Sequence, residues 1–110
     1  MFTSNFNKQG KNPNAVSIAA KAPVWYTGRE YKKLAPWFQT RMNYKETGNR
    51  EAYTEEYVNG VLAKLNPLTV YNELGKDAIL ICFEGTDGFC HRHLVAKWFK
   101  EKLDIIVKEI

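Results

Sequence analysis

The chain has 110 residues, 45% apolar and 25% charged, and its sixteen Lys and Arg outnumber twelve Asp and Glu for a net charge of +4. That balance fits one soluble domain and excludes a wholly disordered chain. No apolar run nears the roughly 18 residues that a membrane-spanning helix needs. The start, Met1-Phe2-Thr3-Ser4-Asn5, is polar and lacks a basic segment followed by an apolar one. A cytoplasmic, reducing compartment is therefore expected, and with it two free cysteines rather than a structural disulfide.

In chain order, Met1–Ser4 predicts a short strand, and Asn5–Asn14, with four Asn, Gly10 and Pro13, predicts a loop. Ala15–Ala19 reads as a second strand, apolar enough to be central. Ala22–Arg29 carries Pro23 and Gly28 and reads as irregular. Pro36 suits a first helical turn, and Trp37, Phe38 and Met42 after it suggest one apolar face. Arg50–Leu65 is the clearest helix, with Tyr53, Tyr57, Val58, Val61, Leu62 and Leu65 recurring at three and four residues. Asn66 and Pro67 open a further helix that Gly75 closes, with Leu68, Tyr71 and Leu74 on its apolar side.

Ala78–Phe83 is apolar on both faces, the mark of a strand covered on two sides in a parallel sheet. Glu84–Gly88 is a polar turn. Phe89–Leu103 predicts a helix with Leu94, Val95, Trp98 and Phe99 inward, and Asp104–Val107 a last strand reached by a crossover. The expected fold is a single α/β domain over residues 1–110, Rossmann-like, with a mainly parallel sheet of about four strands flanked by helices. The fifteen aromatic residues are expected mostly in its core.

Ligands of open parallel sheets bind beyond the carboxyl ends of the strands. Three segments converge there: Thr3, Ser4 and Asn5; Lys21; and Cys82 to Arg92. In the third, Leu80, Cys82 and Glu84 share one strand face. Glu84, ending an apolar strand, invites a cationic partner, and Arg92 is the nearest in sequence. Cys90-His91-Arg92 would open a helix, whose free N–H groups and positive end favour a thiolate or a bound anion. Two functional uses follow. Cys90 can act as a nucleophile with Glu84 or His91 as acid–base partner. Alternatively the turn holds an anion, with Arg92 as the fork. A structural use stays open beside them: a small buried Cys90, a surface His91, and an Arg92 that ties the turn down. Cys82, Cys90, His91 and His93 are all possible zinc ligands, but no second ligand pair exists, so no metal and no cofactor are assigned.

The strand Ile79–Glu84 followed by Cys90-His91-Arg92 resembles the family called domain of unknown function 488. That family carries an apolar strand ending in Cys-x-Glu, a short loop, and Cys-His-Arg at a helix start. Phe2–Asn5 is similar to its opening strand and polar turn, Tyr31–Pro36 to its Leu-Ala-Pro element, and Arg50–Tyr57 to its acidic, Tyr-rich helix. The loop before Cys90 lacks the proline often found in the family. The resemblance implies a compact α/β fold and a site at Cys82, Glu84, Cys90, His91 and Arg92, without a settled reaction. The expectation is a pocket for a small anionic, nucleotide-like molecule, with Arg92 holding the anion and Thr3, Ser4, Asn5, Cys82 and Lys21 around it. The alternative is a nucleic-acid or protein interaction module using Arg29, Tyr31, Lys32, Lys33, Trp37 and Arg41, where rings beside cations suit single strands. No membrane partner is expected.

Overall fold

The computed structural model describes residues 1–83 and 88–110. Five strands form one sheet in the order β3-β2-β4-β1-β5, and every pairing is parallel. They are β1 (Phe2–Asn5), β2 (Ala15–Ser17), β3 (Arg29–Glu30), β4 (Ile79–Cys82) and β5 (Lys108–Glu109). The helices are α1 (Phe6–Gln9), α2 (Phe38–Thr47), α3 (Arg50–Gly60), α4 (Pro67–Leu74) and α5 (His91–Leu103). The α/β class holds, with one strand more than expected. β4 is central and wholly buried, as its unbroken apolar run requires.

Several local expectations need correction. The Asn5–Asn14 loop contains α1, because the Asn5 side chain accepts from Lys8 N at 2.9 Å and caps a single turn. β3 is only two residues long, too short to register as a pattern. The last strand starts at Lys108, not Asp104. Asp104 takes the left-handed conformation (φ 55°) that ends α5 and turns the chain first. The expected apolar face of α2 fails. Trp37 sits at the helix cap, and Trp37 and Phe38 are both exposed, while Thr40 is the buried residue and donates to Glu56 Oε1 at 3.1 Å. On α4, Leu68 is likewise exposed, and Val70 and Leu74 face inward.

The caps read from sequence do form. Asn49 accepts from Ala52 N to start α3, and Asn66 accepts from Thr69 N to start α4, with Pro67 in the first turn. Gly48 closes α2 at φ 67°, a left-handed position that few residues other than glycine tolerate.

Ile18, Leu34, Leu80, Ile81, Val95 and Phe99 are wholly buried at the centre of the core. Tyr57 reaches through it from α3 and donates to the Leu34 carbonyl at 2.7 Å, fixing the segment before α2 against the helical layer. Among the described residues no helix is long and apolar enough to cross a membrane.

Tyr57→Phe keeps the ring and leaves a buried carbonyl unsatisfied. It is expected to cost about 1–3 kcal/mol, read as a lower urea midpoint with an unchanged slope.

Candidate functional site

Cys90 occupies the cap position of α5, and His91 and Arg92 form its first turn. All three are buried. The surface position allowed for His91 is thereby replaced by a core one. Its Nε2 lies 2.8 Å from the Ile18 carbonyl, which can only accept, so Nε2 carries the proton. Nδ1 is left as a lone pair, 3.7 Å from Cys90 Sγ. Burial pushes the imidazole pKa down to about 4. The Ile18 hydrogen bond opposes that, and the Arg92 and Arg41 charges reinforce it. The ring is therefore neutral at pH 7, with its basic nitrogen turned to a sulfur.

Arg92 is almost completely buried, and among the described residues its carboxylate partner is on β5. Nε and Nη2 grip the Glu109 carboxylate, at 3.0 Å to Oε1 and 2.9 Å to Oε2, and Thr3 Oγ1 donates to the same Oε1 at 2.6 Å. Burial raises the Glu109 pKa, but the hydrogen bonds from Arg92 and Thr3 outweigh it and hold the carboxyl below its usual range. Arg92 Nη1 lies 3.3 Å from Cys82 Sγ. The two-pronged face of this guanidinium is thus taken up by Glu109, and its third nitrogen addresses a sulfur. Parallel register explains the grouping: Thr3 pairs with Leu80 and Asn5 with Cys82, so these side chains share the face that α5 covers.

The sulfurs of Cys82 and Cys90 are joined as a disulfide, against the expectation of two free thiols. Compartment arguments concern average redox conditions. Here the end of β4 and the start of α5 bring the two side chains together. The donor atoms of Cys82, Cys90 and His91 lie within 4.8 Å of one another. Such a group could take a soft ion only after the sulfurs part.

A cavity of about 220 Å³ opens onto these groups. Ala19, Ala20 and Lys21 line it after β2, Cys82 and Phe83 after β4, Cys90 and His91 at α5, and Arg41, Tyr44 and Tyr53 on the α2–α3 side. Arg41 Nε is buried there without a hydrogen-bond partner, and among the described residues the side chain makes no ion pair. Its guanidinium lies 5.5 Å from the Phe38 ring, and its charge acts on both His91 and Tyr53.

Of the residues singled out from sequence, the structure brings Cys82, Cys90, His91 and Lys21 to one cavity. Glu84 lies outside the described residues. Thr3 is spent on Glu109, Ser4 Oγ is buried on the opposite sheet face without a hydrogen-bond partner, and Asn5 caps α1. None of these three lines the cavity. Sequence reasoning missed Glu109 and the Ile18 carbonyl, and it placed Arg41 on an outer surface. An unpaired arginine three residues after an exposed Phe38 and three before Tyr44 is a faint signal on a helix, visible only once Tyr44 is known to meet Tyr53 at 5.5 Å.

A family model described as the active DUF488-N3 subclade matches residues 8–103. No curated protein and no solved structure matches.

Two stability measurements check this geometry. Because the folded His91 pKa is about 4 and its usual value 6.5, the unfolded chain takes up a proton in that window and the folded chain does not. Stability is therefore full above pH 6.5 and falls as pH drops toward 4. The expected loss between pH 7 and 5 is about 2 kcal/mol in urea titrations, and His91→Gln should abolish it. Glu109 adds a further loss only below its ordinary 4.5. Arg92→Met should cost roughly 2–3 kcal/mol at pH 7. That is below the usual value for breaking a buried pair, because Glu109 keeps about a third of its side chain in water.

Proposed function

This chain belongs to the domain of unknown function 488 family, and from that premise we propose that it binds a small anionic molecule in the cavity at the carboxyl end of its sheet and acts on it through Cys90. The observation that carries this reading is Arg41. A buried guanidinium nitrogen with no partner is costly, and a ligand oxygen would relieve that cost. Lys21 adds a second positive charge at the rim, and Tyr44, Tyr53 and Phe89 supply flat apolar walls. A phosphate or carboxylate on Arg41 with a planar ring against these walls is nucleotide-like chemistry. The volume, about 220 Å³, is below that of pockets for drug-sized ligands, so the anionic head and one ring are what it accommodates.

Cys90 in its thiol form would face a neutral His91 Nδ1, with Ile18 fixing the tautomer, the nucleophile–base–orienter order of covalent catalysis. The helix start beneath Cys90 favours the thiolate as it forms. Arg92 then serves as a positioning residue that holds the end of β4, α5 and β5 together, and Arg41 takes the anion.

A second reading keeps one observation in its favour, the exposure of Trp37 (54%) and Phe38 (65%) beside Arg41. These rings suit stacking against a nucleic-acid strand or a protein partner. The other residues of that surface are engaged elsewhere: Arg29 donates to the Leu74 carbonyl at 2.8 Å, and Tyr31 and Lys33 meet Glu73.

Calorimetric titration with adenosine monophosphate is expected to show one site. Arg41→Gln should weaken it roughly 10- to 100-fold, the loss of one charge-assisted anion contact. Undiminished affinity in Arg41→Gln, or binding of oligonucleotides at low salt that Trp37→Ala removes, would favour the second reading.

A further inference from the structure

Two cysteines eight residues apart, Cys82 ending β4 and Cys90 capping α5, both line the cavity, and their sulfurs are bonded. Their surroundings differ. Cys90 is the more accessible, at 7% against 1% exposure, and it faces the lone pair of His91. Cys82 lies deeper, with the Arg92 guanidinium 3.3 Å from its sulfur. Cations beside a thiol favour the thiolate, so Cys82 is supplied with its own electrostatic partner, one that the substrate does not touch.

We propose that Cys90 and Cys82 work as an attacking and a resolving thiol, a dithiol–disulfide couple whose oxidant is a small anionic disulfide held by Arg41. This rests on the reading of the cavity as an anion site. In the first step the Cys90 proton passes to His91 Nδ1 and the thiolate attacks one sulfur of R–S–S–R′. The bond from Cys90 to RS forms, the R–S–S–R′ bond breaks, and R′S⁻ leaves and takes the proton from His91. In the second step the Cys82 thiolate attacks Cys90 Sγ. The Cys82–Cys90 bond forms, and RS⁻ leaves and takes up the proton that Cys82 gave to solvent. The substrate gains two electrons and two protons and becomes two thiols, and the protein loses the same and becomes the disulfide seen in the structure. A small external thiol reopens the pair by the reverse exchange. The geometry supports the order of attack. The more accessible sulfur meets the substrate, and the buried one lies against it with no further approach needed.

The test uses the intact protein, fully reduced and then freed of reductant. It is given either 3,3′-dithiodipropionate, which carries two negative charges, or cystamine, which carries two positive ones. Intact mass and the count of alkylatable thiols are followed in time. With dithiodipropionate the wild type should lose both thiols and gain no mass, and the reaction should be roughly tenfold faster than with cystamine at low salt. Cys82→Ser should stop at a stable mixed disulfide on Cys90, and Cys90→Ser should not react with the reagent in the cavity. Arg41→Gln should equalise the two reagents and still close the pair. A persistent mixed disulfide in the wild type, first attachment at Cys82, or two thiols inert to both reagents would overturn the couple. Closure at equal rates with the two reagents would instead overturn the anion site and the substrate class drawn from it. Peptide mapping of the wild type reads these outcomes even if a serine variant fails to fold.

Discussion

The buried guanidinium of Arg92 is the constraint on which the site depends. A charge this deeply enclosed must be matched by a carboxylate and hydrogen bonds, or its burial would cost several kcal/mol. Glu109 supplies the match from the last strand, Thr3 from the first shares the same carboxylate, and Cys82 from the central strand receives the remaining nitrogen. One side chain on α5 thus joins β1, β4 and β5. The joint fixes where α5 begins, and through that the position of Cys90 and His91. An arginine so employed is a poor anion receptor, because a ligand would have to displace Glu109 first.

The cavity can therefore be understood as a division of labour between two arginines. Arg92 is neutralised within the protein and organises the sulfurs. Arg41 has no ion pair among the described residues and a buried nitrogen without a partner, so its charge acts on the cavity. It also acts on His91, whose pKa burial has already lowered, and helps to keep that ring neutral. A neutral imidazole with one nitrogen committed to Ile18 can only accept at the other. The tautomer turns the free lone pair toward Cys90 Sγ, while burial and the two arginine charges oppose a lasting positive charge on the ring and return it to the neutral form.

Much of this was legible in the residues. The unbroken apolar run of β4 gave the central strand, Asn49, Asn66 and Pro67 gave their helix starts, and Cys90-His91-Arg92 gave the start of α5. What was hidden depends on contacts between distant segments. Glu109 lies 17 positions from Arg92, on a two-residue strand with no periodicity to reveal it. The failed apolar faces of α2 and α4 have a related cause. Trp37, Phe38 and Leu68 look like core by residue type, but the starts of α2 and α4 leave them exposed, whereas the start of α5 is buried. The sulfur pair is likewise hidden in the sequence, because only the packing of β4 against α5 brings Cys82 and Cys90 together.

The central claim, that Arg41 and not Arg92 receives the anion, is tested most directly by nuclear magnetic resonance of the two arginine Nε–H groups during titration with adenosine monophosphate. The expected result is a saturable shift of the Arg41 Nε–H while that of Arg92, held on Glu109, stays in place. A shift of the Arg92 resonance with Arg41 unchanged would contradict the claim.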